Sequence, residues 1–188
     1  MKIMNIRLKK SSKFFIVLLA SLLIGFANAA IYYSMTAQPS LSIIAAKVVF
    51  VAGNDFPSGS SLGDNSTWVY LALKGYPNTT LTYDQPLNIS NTDSASHTFR
   101  LRHVSISPAS GQPQVSNFTA INFVVQNTAG VSQDSFNYTT TGTTWNTPTT
   151  MSYVTLPAGT SWIIFVQTIT APSANDVTTN IQIAVDVL

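Results

Sequence analysis

The chain is predicted to be all-β: an antiparallel β-sandwich, immunoglobulin-like or jelly-roll-like, behind a removable leader. Three observations predict this. After residue 29 the apolar residues alternate at period two rather than 3.6. Runs rich in Val, Ile, Thr, Tyr, Phe and Trp are separated by Pro, Gly, Asn and Ser. No amphipathic helical pattern interrupts them, and many short strands with turn signals between them build a sandwich or barrel.

The leader comes first. Lys2, Arg7, Lys9, Lys10 and Lys13 precede the uncharged run FFIVLLASLLIGF over residues 14–26, and Ala27-Asn28-Ala29 follows. Basic, apolar, then A-x-A is the layout of a secretory signal peptide, with cleavage expected between Ala29 and Ala30. Residues 1–29 are therefore the leader, 30–39 an extended N-terminal strand and linker, and 40–188 one β-sandwich domain. The 159 residues after Ala29 are enough to bury roughly 68–70% of their unfolded surface in a single core.

Composition then excludes several functions. Beyond Ala29 the basic residues are Lys47, Lys74, Arg100 and Arg102, against seven Asp and no Glu, a net charge of −3 with His neutral. No basic patch exists for nucleic acid. There is no cysteine, so neither disulfides nor thiolate metal sites are possible.

The predicted strands run in order over 41–52, 67–73, 98–107, 117–126, 151–156, 161–170 and 177–188, with shorter ones at 80–83, 87–90 and 135–140. GNDFPSGSSLGDN, PASGQPQ and NTAGVSQD are read as loops. Ahead of Pro39, the segment AIYYSMTAQ alternates: Ile31, Tyr33, Met35 and Ala37 point one way, Tyr32, Ser34, Thr36 and Gln38 the other. Asn-x-Ser/Thr acceptor sequences stand at Asn65, Asn78, Asn88, Asn117 and Asn137. In an exported chain, with each in or beside a predicted turn, they are expected to carry N-linked glycans.

Catalytic signals are poor. Gly59-Ser60-Ser61-Leu62-Gly63 matches G-x-S-x-G, but it lies in a Ser/Gly-rich loop without the following helix that a nucleophile elbow needs. His97 and His103 share a strand face but stand about 20 Å apart at ~3.3 Å per residue, too far to chelate one metal. Asp55 and Asp64 flank one loop with no EF-hand spacing. Arg100 and Arg102 fit a solvated strand face. No catalytic residue, metal or cofactor is expected, and the chain is not read as an enzyme.

The leader, AIYYSMTAQPS at the expected mature start, and PLNISNTDSASHTFRLRHVSI within the sandwich resemble the subunits of archaeal thread filaments. They are also similar to TasA-type biofilm fibre proteins, whose strand–NTG/NTD–strand stretch matches LNISNTDSASHTFRLR. The resemblance implies a pilin-like sandwich whose N-terminal strand, with Ile31, Tyr33, Met35 and Ala37 inserting, completes the neighbouring subunit. It thus implies an extracellular, glycosylated, cell-surface filament of identical subunits for adhesion or biofilm formation, touching the membrane only during export. Two alternatives stand beside it. Residues 14–33 are long enough, about 20, for the retained helix of a type IV pilin-like subunit cleaved near Lys13. Trp68, Trp145 and Trp162 are consistent with an exported carbohydrate-binding sandwich.

Overall fold

The structure is a computed structural model that describes residues 17–19, 45–108, 111, 113–148, 150–172 and 177–188. Ala45–Leu188 is one compact unit and Met1–Ile44 another. Within the latter, residues 17–19 are helical. The cleavage site Ala29/Ala30, the inserting face Ile31, Tyr33, Met35 and Ala37, and residues 41–44 of the first predicted strand lie outside the described residues.

Eleven strands build Ala45–Leu188: β1 (Val48–Ala52), β2 (Ser61–Leu62), β3 (Trp68–Gly75), β4 (Thr80–Asn91), β5 (His97–Ser107), β6 (Phe118–Gln126), β7 (Ser132–Thr140), β8 (Trp145–Asn146), β9 (Val154–Leu156), β10 (Ser161–Thr170) and β11 (Val177–Val187). They form two antiparallel sheets. One has the order β1-β4-β10-β6-β7-β8, the other β2-β3-β11-β5-β9. The predicted β-sandwich is the observed fold. Most connections pass from one sheet to the other, so the two inner faces are assembled together.

Alternation fixes which face is inside. In β10 Trp162, Ile164, Val166 and Thr168 are buried, whereas Ile163, Phe165 and Gln167 are half-buried on the outer side. In β11 Thr179, Ile181, Ile183 and Val185 point in. One core joins both sheets and includes Phe99, Leu101, Ile121, Phe123, Leu71 and Leu73. Its aromatic part is a chain: Phe123 stacks on Phe136 at 4.8 Å between centroids, and Tyr138 meets both edge-on. Trp145 reaches Tyr138 and Phe118. Such contacts add about 0.5–1.5 kcal/mol per pair beyond area burial. They help hold a cysteine-free sandwich together.

Several elements differ from the sequence reading. The two short strands expected at 80–83 and 87–90 are one strand, β4. Its register against β10 jumps between Tyr83 and Leu87, so residues 84–86 bulge out, and a bulge accommodates Pro86 inside a strand. The Asp55 carboxylate accepts there from Asp84 N at 3.0 Å and Gln85 N at 3.2 Å. The G-x-S-x-G stretch is not a plain loop, because Ser61 and Leu62 pair with β3. Its last glycine has a packing reason: a Cβ on Gly63 would fall 1.8 Å from the Trp68 ring. NTAGVSQD was expected to be loop throughout, yet β7 begins at Ser132. In the stretch predicted as strand over 151–156, only Val154–Leu156 pairs.

The β4–β5 connection carries a polar latch. Asn91, 1% exposed, donates from Nδ2 to the carbonyls of Ala95 (2.8 Å), Leu156 (3.2 Å) and Pro157 (3.1 Å), while its Oδ1 accepts from Asp93 N. Next to it, Thr92 donates from both N and Oγ1 to Lys47 O, ahead of β1. One amide thus joins the β4–β5 turn to the β9–β10 turn. Buried carbonyls deprived of a donor cost about 1–3 kcal/mol each. Asn91→Leu is expected to lower stability by roughly 2–4 kcal/mol in denaturant unfolding. A loss below about 0.5 kcal/mol would show that the latch carries no net weight.

Candidate functional site

A sandwich closed only by hydrogen bonds has edges, and the main-chain groups along them need partners or invite new ones. The far edge of β3 is occupied by side chains. Ala72 N donates to Ser60 Oγ at 2.9 Å and Lys74 N to Tyr83 Oη at 3.0 Å. Lys74 O accepts from the buried Thr168 hydroxyl at 2.8 Å.

The opposite side of the sandwich is less complete. Beside the eleven residues of β5, β9 pairs only with His97, Thr98 and Phe99. Beside the nine residues of β7, β8 pairs only with Thr139 and Thr140. Among the described residues, no strand lies on the side of residues 100–107 of β5 away from β11, or on the side of residues 132–138 of β7 away from β6. Leu188 N donates to Thr98 O, so alternate residues from Thr98 face β11. Leu101 and His103 therefore turn their main-chain groups to the uncovered side. A register shift near His103 leaves Val104 in a bulge, 41% exposed.

The two incomplete edges are bridged. His103 of β5 and Tyr138 of β7 are hydrogen-bonded, Nδ1 to Oη, at 2.8 Å, with rings edge-on at 5.4 Å. Burial lowers the His103 pKa below its ordinary value and raises that of Tyr138. Both the neutral imidazole and the neutral phenol are favoured in this seam. Nearby, Met151 is buried, Ser152 N donates to Asp134 Oδ2 of β7 at 2.9 Å, and the Arg100 guanidinium lies 4.7 Å over the Tyr153 ring. The seam thus has buried Met151 at its base and, at its rim, the side of residues 100–107 of β5 on which, among the described residues, no strand pairs.

The other sequence candidates are dispersed. His97 Nε2 is 2.9 Å from Asp93 Oδ2, remote in register from His103. That hydrogen bond, then one from Ser94 N, holds the Asp93 carboxyl below its usual range. Arg100 and Arg102 both reach Asp186 at 3.1 Å. Ser60 Oγ caps β3 as described, and no group of three metal-ligating side chains gathers among the described residues. Trp145 and Trp162 belong to the core, whereas Trp68 is half-buried on the outer face of the other sheet. The three tryptophans do not line one surface.

The glycan acceptors divide by local structure. Asn65 and Asn78 are exposed in turns at φ 57° and 50°, a left-handed conformation that Asn tolerates better than most residues. Asn117 is half-buried at the end of the 3-10 turn Pro113–Asn117. Asn88 and Asn137 do not sit in turns. Asn88 is half-buried within β4, its Oδ1 accepting from Gln85 Nε2 at 3.0 Å, and Asn137 is exposed within β7. Sequence reasoning missed the uncovered stretch of β5, because strand propensity shows that a strand exists and is silent about its neighbours.

No protein-family model matches the chain, and a comparison with curated proteins finds no relative.

His103 makes a pH prediction. Its folded pKa lies below the unfolded value near 6.5. The stability this group contributes is present above pH 6.5 and is lost as pH falls through the folded pKa. Unfolding free energy measured between pH 7.5 and 4.5 should decline less in His103→Gln than in the wild-type chain. Identical pH profiles would mean that the seam does not select the neutral ring.

Proposed function

We propose that this chain is a structural subunit of an extracellular, cell-surface filament, exported by cleavage between Ala29 and Ala30 and serving adhesion or biofilm formation. Subunits polymerise head-to-tail by donor-strand complementation. The observation that carries this reading is the strand position beside β5, filled by β9 over three residues and, among the described residues, without a strand along residues 100–107. The nine residues 30–38 of the next subunit are long enough to span the eight residues of that stretch and alternate as a strand must. Its main-chain groups extend the ladder, and Ile31, Tyr33, Met35 and Ala37 turn toward the seam.

Donor and acceptor are different surfaces, so the contact does not close on itself and propagates into an open filament. Burial of Ile31, Tyr33 and Met35 contributes roughly 1.5–3 kcal/mol each before the entropy of association is subtracted. No cofactor, metal or nucleic acid takes part, and the subunit has no catalytic role. N-linked glycans on Asn65, Asn78, Asn88, Asn117 and Asn137 coat the filament. Occupancy follows exposure, so Asn65 and Asn78 are modified most fully and Asn88 least.

Deleting residues 30–38 is expected to abolish filaments seen by electron microscopy, and a synthetic AIYYSMTAQ peptide should bind the truncated chain. Tyr33→Asp or Met35→Asp should block assembly because an unpaired charge would enter an apolar seam. Tyr32→Asp and Ser34→Asp should be milder. Val104→Lys, at an exposed edge position, should change stability by less than about 0.5 kcal/mol yet slow elongation by placing a charge on the acceptor edge. Normal filaments from the truncated chain would refute the mechanism. Unchanged elongation by Val104→Lys would move the acceptor away from β5.

A further inference from the structure

Across the outer side of the six-stranded sheet, Phe165 of β10 lies opposite Val124 of β6. Both are half-buried, and both alternate with core residues. They floor a shallow cleft of about 280 Å³ whose other lining residues include Asn122, Ser135, Asn137 and Gln167. Gln167, Asn122 and Asn137 form one register row across three strands. Asn122 Nδ2 donates to Gln167 Oε1 at 3.4 Å. Asn137 is also the acceptor of an N-x-T sequence completed by Thr139. Asn137 and Thr139 are both exposed. A glycan acceptor therefore stands at the rim of a cleft with an apolar floor and amides along its walls.

We infer that the first sugar of an N-linked glycan on Asn137 folds back into this cleft and covers Phe165 and Val124. This rests on the exported, glycosylated reading above. Attachment joins Asn137 Nδ2 to the anomeric carbon of an activated sugar on a phosphate carrier. The sugar–phosphate bond breaks, the amide loses one proton and the carrier leaves. A pyranose ring then offers a C–H-lined face to the Phe165 ring and hydroxyls to the Asn122 and Gln167 amides. The cleft lies just below the roughly 300–1,000 Å³ of drug-sized pockets, which suits a proximal sugar rather than a whole oligosaccharide. Among the five acceptors, Asn137 is the one that lines this cleft. Covering the cleft removes the Phe165 and Val124 apolar surface from this sheet face, surface that would favour face-to-face association.

The test uses the full chain secreted by its native host, in four forms: wild type, Asn137→Gln, Phe165→Ser and the double variant. Wild type should melt about 2–4 °C above Asn137→Gln, and the difference should vanish in the Phe165→Ser background. The same wild-type chain, enzymatically deglycosylated, supplies a second comparison if a variant folds poorly. NMR of the glycosylated chain should show cross-peaks between Phe165 ring protons and the proximal sugar. An unmodified Asn137, or a modified one with additive melting shifts and no cross-peaks, overturns the inference. Electron microscopy of the same preparations separates this outcome from the filament reading. Filaments without the Phe165 coupling overturn only the glycan contact, and coupling without filaments overturns only the assembly mechanism.

Discussion

The satisfaction of main-chain hydrogen bonds at the sheet edges is the constraint on which the rest of this molecule depends. Two sheets packed face to face bury their side chains well, but each sheet ends in strands with one ladder unmade. At β3, beyond the two residues paired with β2, the ladder is replaced by single hydrogen bonds: Ser60 Oγ and Tyr83 Oη accept from Ala72 N and Lys74 N, and Thr168 Oγ1 donates to Lys74 O. At β5 and β7 it is replaced only in part, by β9 and β8. That asymmetry, between the largely satisfied edge of β3 and the open edge of β5, belongs to the five-stranded sheet; among the described residues β1, at the end of the other sheet, pairs only with β4. The asymmetry places His103 and Tyr138, a hydrogen-bonded pair between the sheets, beside the open edge.

With no cysteine available, cohesion comes from the core and from a few long-range polar ties. The Phe123–Phe136–Tyr138–Trp145 chain runs along β6, β7 and β8, the part of the six-stranded sheet that borders the open seam. Asn91 ties the turns at one end of the sandwich. Thr170 and Thr179 tie main-chain carbonyls at the other through their buried hydroxyls. Buried polar groups with partners give direction to an apolar core that would otherwise tolerate sliding. No described buried side-chain polar atom is left without a partner.

The outer faces divide the remaining work. On the six-stranded sheet, Asn88 and Asn137 point outward amid half-buried Ile163, Phe165 and Val124. Across the other sheet, Arg100 and Arg102 converge on Asp186. These are partly exposed pairs, and such pairs typically contribute no more than about 1 kcal/mol. Among the described residues, neither face supplies a cleft lined by a nucleophile and base. In the proposed filament, the faces would meet solvent and glycans while the edge would meet the next subunit.

The sequence by itself determined the period-two alternation, and with it the inner faces of β3, β10 and β11. It also determined the absence of disulfides, because those properties belong to single residues and their spacing. Strand pairing across sheets was invisible to it. The merger of 80–83 with 87–90 into β4 depends on a bulge stabilised by Asp55, some 30 residues away. The pairing of Ser61 and Leu62 depends on β3. The positions of Trp145 and Trp162 in the core follow from which neighbours pack against them, whereas the strands that hold Asn88 and Asn137 were already legible in the alternation of residues 87–90 and 135–140. Only the tertiary structure decided that β9 stops after three residues and that, among the described residues, no strand follows it along residues 100–107 of β5. An edge is a relation between strands, and hydrogen-bond partners far apart in the chain leave no local mark on the residues that lack them.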